Sequence, residues 1–191
     1  METRIYMVRH AESSYSPGED RTRGLTPKGQ EDALRVTELL RETPIDAVVS
    51  SPYARALLTV EGIAAERGLT IAPFEELKER KLHGDEVELA AHGGFMQAIE
   101  RSFADHDAAL PGGESLRELQ QRAVPAVRRL LRVYRGQSVA VGTHGNIMCM
   151  ILQAFDARYG GFEFWRGTSM PDVYRVTFRG EELVGVERLW S

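Results

Sequence analysis

The 191-residue chain contains one cysteine, Cys149. With no second thiol, an intramolecular disulfide and a cysteine metal cluster are both excluded. Cys149 lies within the apolar run Ile147-Met148-Cys149-Met150-Ile151-Leu152, so a buried packing residue is expected there rather than a reactive thiol. No apolar run approaches the roughly 20 residues of a membrane span. A strand pattern follows Met1 directly and leaves no room for a signal peptide, so the expectation is no membrane and a cytoplasmic location. Excess positive charge is also missing. Twenty-four Lys and Arg against 28 Asp and Glu give a formal net charge of −4, which argues against a general nucleic-acid binder. Any anion site must therefore be a local concentration of cations. Repeats, low-complexity tracts and linkers are absent. What remains is ordinary for a globular protein, at 42% hydrophobic and 27% charged, and residues 1–191 read as one domain.

Strand-like and helix-like segments alternate along the chain, which predicts a three-layer α/β/α sandwich. The sheet is expected to be mostly parallel, with one antiparallel edge. Ile5–Val8 reads as the first strand. Leu25–Leu40 holds a helix, with Thr26 as its N-cap and Pro27 at its first position. Asp46–Val49 is the next strand, and a helix opens at Pro52 with Ala56, Val60 and Ile63 on one face. Leu69–Ala72 is expected at a sheet edge, because Pro73 ends central pairing. Ser115-Leu116-Arg117-Glu118 is a capping box for a helix running toward Tyr134, with a kink or break predicted at Pro125. Ser138–Val141 reads as the most buried strand, followed by a helix from about Asn146 to Ala154. Val173–Phe178 and Leu183–Trp190 predict an antiparallel hairpin about Arg179-Gly180-Glu181-Glu182. Residues 83–109 are the least regular and are expected to form a helical insert over a pocket mouth.

Three segments carry phosphate chemistry. Arg9-His10-Ala11-Glu12 follows the first strand, Arg55 follows Ser50-Ser51-Pro52-Tyr53-Ala54, and Thr143-His144-Gly145-Asn146 follows the buried strand. Ligands in open α/β sheets bind at the carboxyl ends of the strands. Two histidines and two arginines delivered there make a pocket for a dianionic phosphate. His10 is the candidate nucleophile, because a neutral imidazole attacks phosphorus to give phosphohistidine. Arg9 and Arg55 supply forked donors that lysine cannot reproduce. His144 can donate to a phosphoryl oxygen as charge develops, and backbone N–H groups around Gly145 can add to the clamp. A carboxyl among Glu75, Glu76 and Glu79 is the candidate proton donor to the leaving oxygen, and spacing alone does not choose among the three.

These residues resemble the histidine phosphatase superfamily, the phosphoglycerate mutase-like proteins, whose opening Arg-His-Gly-Glu stands here with Ala11 in place of glycine. Further matches come in the family's order. They are Leu25-Thr26-Pro27-Lys28-Gly29-Gln30, Ser51-Pro52 with Arg55-Ala56, Leu77-Lys78-Glu79-Arg80, Pro111-Gly112-Gly113-Glu114-Ser115-Leu116 and Thr143-His144-Gly145. Together they span roughly residues 3–155, and six ordered matches carry far more weight than one. The resemblance implies a phosphate pocket of Arg9, His10, Arg55 and His144, with His10 as the phosphorylated residue and Glu79 as the donor. It also implies that Ser16 stands where the family commonly has an asparagine phosphate ligand. After Arg80 the chain departs from the family's aromatic and glycine pattern.

The expected function is a metal-independent phosphatase acting on a small phosphorylated metabolite, with no cofactor. A mutase using the same pocket is the nearest alternative, and a silent phospholigand-binding module is the third. Typical mutases of the family are longer and close more fully over their substrate. The resemblance leaves the leaving group open among phosphoglycerates, phosphoserine, nucleotide or cobalamin-precursor phosphates and phosphohistidine. Nothing in the residues excludes a homo-oligomer. His83, His92 and His106 match no metal spacing and are expected to be exposed or to cap local backbone. Phe162, Phe164 and Trp165 are expected to pack over the hairpin, with an aromatic substrate wall as the alternative. Glu12 is expected to be a structural carboxylate that orients an arginine.

Overall fold

In the computed structural model, which describes residues 1–191, six strands form one sheet in the order β3-β2-β4-β1-β5-β6. They are β1 (Glu2–Arg9), β2 (Ala47–Ser50), β3 (Ile71–Pro73), β4 (Ser138–Thr143), β5 (Asp172–Arg179) and β6 (Glu182–Arg188). The first four in spatial order pair in parallel, and the β5–β6 hairpin adds the antiparallel edge through β1. Gly180, with φ of 64°, occupies the left-handed conformation that the hairpin turn requires. β3 forms the opposite edge, as the proline in its last position demands.

Side chains of a strand alternate between faces, and β1 makes both faces apolar. Ile5 and Met7 enter one core with Val139, Val141, Leu119, Val127, Ile147 and Leu152. Tyr6 and Val8 enter the other with Val36, Leu40, Val60 and Ile63. Helices α1 (Pro27–Leu39) and α2 (Ala54–Glu66) therefore cover one face, and α4 (Leu116–Val133) and α5 (Gly145–Phe155) cover the other. β4, between β2 and β1, is buried at all six residues. The two predicted caps are present. Thr26 Oγ1 accepts from Gly29 N–H, and Ser115 and Glu118 close a reciprocal capping box.

Of the kink or early break expected at Pro125, the break does not occur, because α4 is continuous through it. Pro125 and Gln121, whose carbonyl loses its i+4 donor, are both exposed. The ring and the freed carbonyl thus face solvent, while Leu119, Ala123, Ala126, Val127 and Leu130 keep the packed face intact. Residues 83–109 contain a short turn at Leu89–His92 and helix α3 (Gly94–Ala104). Phe103 and Phe95 of α3 meet Trp165 of α6 (Phe162–Gly167), and Phe162 stacks on Trp165. Only Phe164 turns to the hairpin, with its ring 5.9 Å from that of Tyr174. The three aromatics are therefore divided between the insert and the hairpin, because successive residues of a short helix point in different directions.

Candidate active site

His10 follows the carboxyl end of β1 and is held there by its N–H to Thr143 O, 3.0 Å away on β4. Its ring is nearly fully buried. Nδ1 lies 2.7 Å from Ala11 O. A carbonyl can only accept, so Nδ1 carries the proton and Nε2 keeps its lone pair. Burial, followed by the charge of Arg55, pushes the pKa of His10 down to about 3, so the ring is neutral at physiological pH. Ala11 is fully buried, and no residue other than glycine takes a positive φ. The alanine therefore fits a backbone that does not require glycine. Its N–H donates to Thr59 Oγ1 of α2, which in turn donates to Arg55 O. One hydroxyl thus ties the His10 turn to the arginine facing it.

His144 precedes α5 and is fully buried, with its ring centroid 5.2 Å from that of His10. Its Nε2 lies 2.7 Å from Ser51 Oγ, while Nδ1 has no protein partner. Burial, with the neighbouring histidine and arginines, holds its pKa well below the usual range. Arg55 is 2% exposed. Its Nη1 donates to Asp20 O, and its guanidinium lies over the Tyr53 ring at 4.9 Å. Burial and Arg23 lower its pKa to about 10, so it remains a cation. Arg9 donates through Nη1 to Thr168 Oγ1 at 2.6 Å and packs against Gly145. A Cβ on Gly145 would stand 2.9 Å from Arg9 Cζ, so a side chain there would displace the guanidinium.

Glu79 reaches the same place from a loop. Its Oε2 accepts from Asn146 N–H at 3.0 Å, and its Oε1 accepts from Ile147 N–H at 3.2 Å and Arg80 N–H at 2.8 Å. The carboxylate thus caps the start of α5, where free N–H groups favour negative charge. These bonds occupy two of the helix-start donors that the sequence assigned to the phosphate. Arg122 of α4 fixes the Glu79 backbone by donating to Glu76 O and Glu79 O while chelating Glu114. Glu75 and Glu76 are engaged elsewhere. Glu75 takes a bidentate pair with Arg21, which pulls its pKa down to about 2, and Glu76 accepts from Arg129.

Arg23 is the residue that sequence reasoning missed. It donates to Ser13 Oγ at 2.9 Å, and its charge helps depress the pKa of His10, His144 and Arg55. The carboxylate of Asp20 stands 3.5 Å from Arg23 Nε and 3.7 Å from Arg55 Nη2. No sequence signal separates Arg23 from Arg21 two residues earlier, which pairs with Glu75 at the surface. Ser16 contributes its carbonyl to Glu19 N–H, and the serine bonded to an arginine is Ser13. Glu12 corrects a further expectation. Its carboxylate accepts from Thr26 Oγ1 rather than from an arginine, and its backbone lies so close to Gly29 that a Cβ there would be 2.2 Å from Glu12 O. The motif turn is thereby fastened to the start of α1.

Three buried nitrogens around His10, Nε of Arg9 and of Arg55 and Nδ1 of His144, have no protein partner, and Arg23 Nε has only the Asp20 carboxylate at 3.5 Å. Buried donors in folded proteins are nearly always paired, so a cluster of this kind is arranged for an anion. A surface hollow of about 270 Å³ near Trp190 and Leu189 has no such cluster. Its Arg35 is paired with Asp32 and stacked over Trp190. His83 Nδ1 bonds the adjacent Gly84 O, and no group of three His, Cys, Asp or Glu converges at a metal-ion spacing. Burial pushes the Cys149 thiol pKa upward, as expected of a packing residue. No helix is long and apolar enough to cross a membrane.

Comparison with known proteins identifies the family and the fold. The family model described as histidine phosphatase superfamily (branch 1) matches residues 5–187. A Salmonella choleraesuis (strain SC-B67) protein named "Probable phosphoglycerate mutase GpmB" is 30% identical over 152 residues, spanning 74% of this chain and 69% of the relative. Among solved structures, Bacillus stearothermophilus YhfR is 26% identical with a TM-score of 0.73, over 95% of this chain and 94% of that one. A mycobacterial glucosyl-3-phosphoglycerate phosphatase shares the fold at 19% identity, with a TM-score of 0.76 over 98% and 97% of the two chains.

Proposed function

Because the chain belongs to the histidine phosphatase superfamily, we propose that it is a phosphatase that hydrolyses small phosphomonoesters through a phosphohistidine on His10. The observation that carries this reading is the ring of unpaired buried donors around a histidine whose Nε2 keeps its lone pair. Arg9, Arg23 and Arg55 hold the non-bridging oxygens, and His10 Nε2 attacks phosphorus as the P–O bond to the leaving group breaks. Glu79 gives its proton to the leaving oxygen. Both carboxylate oxygens accept from backbone N–H groups of Arg80 and of α5, so the proton that Glu79 gives lies on the side away from α5. Water then attacks the phosphohistidine, the P–N electron pair returns to His10, and Glu79 takes a proton from the water. Alcohol and inorganic phosphate leave. Residues 83–109, joined through α6 and Thr168 to Arg9, cover the mouth and select the leaving group.

Mutase-type transfer in the same pocket is the second reading, favoured by the name of the Salmonella relative. The deciding experiment incubates the protein briefly with a ³²P-labelled phosphomonoester, quenches it, and then follows products. The phosphatase reading expects an acid-labile, base-stable adduct lost in His10→Ala, with label ending as inorganic phosphate. Label returning to an isomeric ester would establish the mutase, and label on serine or aspartate would refute both.

A further inference from the structure

Ser50 and Ser51 stand side by side at the end of β2, both fully buried, yet they do different things. Ser50 Oγ has no hydrogen-bond partner and lies against Gly142, where a Cβ would come within 2.5 Å of it. Ser51 Oγ lies 2.7 Å from His144 Nε2 and accepts from Tyr53 N–H at 3.2 Å. A hydroxyl has one proton and two acceptor sites. The Tyr53 N–H fills one acceptor site, and the Ser51 proton has no acceptor in the protein other than His144 Nε2. If His144 instead donated from Nε2, the Ser51 proton would be buried without a partner. The Nδ1 lone pair would then stand among three arginines and repel any phosphoryl oxygen. Leaving a buried hydroxyl unpaired disfavours that tautomer by roughly 5- to 150-fold, the equivalent of about 1–3 kcal/mol.

We infer that Ser51 is a positioning residue that donates to His144 Nε2 and thereby makes His144 Nδ1 the N–H donor to the transferred phosphoryl group. The two histidines then hold opposite tautomeric duties. The Ala11 carbonyl leaves His10 a free lone pair on Nε2, and the Ser51 hydroxyl leaves His144 a free N–H on Nδ1. Tyr53 fixes this arrangement, since its N–H orients the Ser51 hydroxyl and its ring meets His144 edge-on at 5.3 Å. The second half of the inference rests on the phosphoryl-transfer reading of the site, whereas the tautomer does not.

Long-range ¹H–¹⁵N spectra of the ¹⁵N-histidine-labelled protein at neutral pH separate the two. The His144 signal, assigned by its loss in His144→Gln, should show a protonated Nδ1 and an unprotonated Nε2. A protonated Nε2 in the wild type overturns the inference whatever the enzyme's activity. Ser51→Ala should shift His144 toward the other tautomer and lower kcat/KM by about 10–100-fold, as loss of an orienting partner typically does. Ser51→Thr keeps the hydroxyl and should restore the tautomer and much of the rate. An unchanged tautomer in Ser51→Ala also overturns the inference. Failure of turnover in every form, with the tautomer as stated, removes the phosphoryl-transfer reading and leaves the Ser51–His144 pair standing.

Discussion

The charges at the carboxyl ends of β1, β2 and β4 differ from those along α4 and the β5–β6 hairpin in one respect. In the crevice, Arg55 is buried, Arg9 and Arg23 are partly buried, and Arg9 and Arg55 keep donors unpaired. At the outer edge, arginines are exposed and paired. Arg128 and Arg132 share Glu181, and Arg175 meets Glu187, with side chains between 42% and 64% exposed. Water and salt screen those pairs, so they contribute little. Arg55, at 2% exposure, has lost its water and has gained no carboxylate partner closer than 3.7 Å. The fold holds that unfavourable arrangement in place, and an arriving phosphate relieves it. Partnering, more than charge itself, marks the functional end of the sheet.

The sharpest test of this contrast concerns Glu79, the acid among the crevice cations. Glu79→Gln should slow hydrolysis of an alkyl phosphate by about 10²–10⁴-fold, the usual worth of general acid catalysis. Nitrophenyl phosphate, whose phenolate leaves without a proton, should be affected much less. Equal losses on both substrates would break the assignment. Arg55→Ala should lower kcat/KM by about 10²–10³-fold, in the range of removing one oriented donor from a developing oxyanion. Arg55→Lys should recover little, because an ammonium cannot offer the same fork. Full recovery by lysine would mean that only charge mattered.

Stability against pH is the next test. The folded-state pKa of His10 is depressed, so only the unfolded chain takes up this proton below the ordinary histidine range. Stability from this group is therefore complete above pH 6.5 and is lost as pH falls toward about 3. His144 acts in the same direction. Unfolding free energies from urea melts should fall through this window, at up to about 1.4 kcal/mol per pH unit from His10. His10→Gln should flatten the slope, and an unchanged slope would show that the ring is not buried neutral. The smallest effect belongs to the outer edge. Glu181→Ala should change stability by no more than about 1 kcal/mol and leave kcat/KM within roughly twofold. A larger loss would erase the distinction between the two regions.

How much was legible in advance follows the same division. Apolar alternation in β1 and β4, the Thr26 cap and the Ser115–Glu118 box are local patterns, and they appear in the structure where the residues place them. His10, His144, Arg9 and Arg55, which the structure brings together, stand out in the sequence because each sits beside an apolar run or a Ser-Pro helix entry. Arg23 was not found, because it lies in the charged stretch Asp20-Arg21-Thr22-Arg23, where two arginines look alike. Pro125 does not break α4, because its ring and the freed carbonyl both face solvent, which no local pattern reveals.

The sequence by itself determined the layers and the strand ends that carry the motifs, because side-chain direction repeats every 2 residues in a strand and every 3.6 in a helix. Tertiary structure alone decided which polar groups acquired partners. Ser51 meets His144 across 93 positions of chain, and Glu79 meets Ile147 across 68. Hydrogen bonds of this kind depend on loop paths and packing between elements, which no local period encodes. The chemistry of the crevice lies in those pairings and in the three nitrogens of Arg9, Arg55 and His144 left without one.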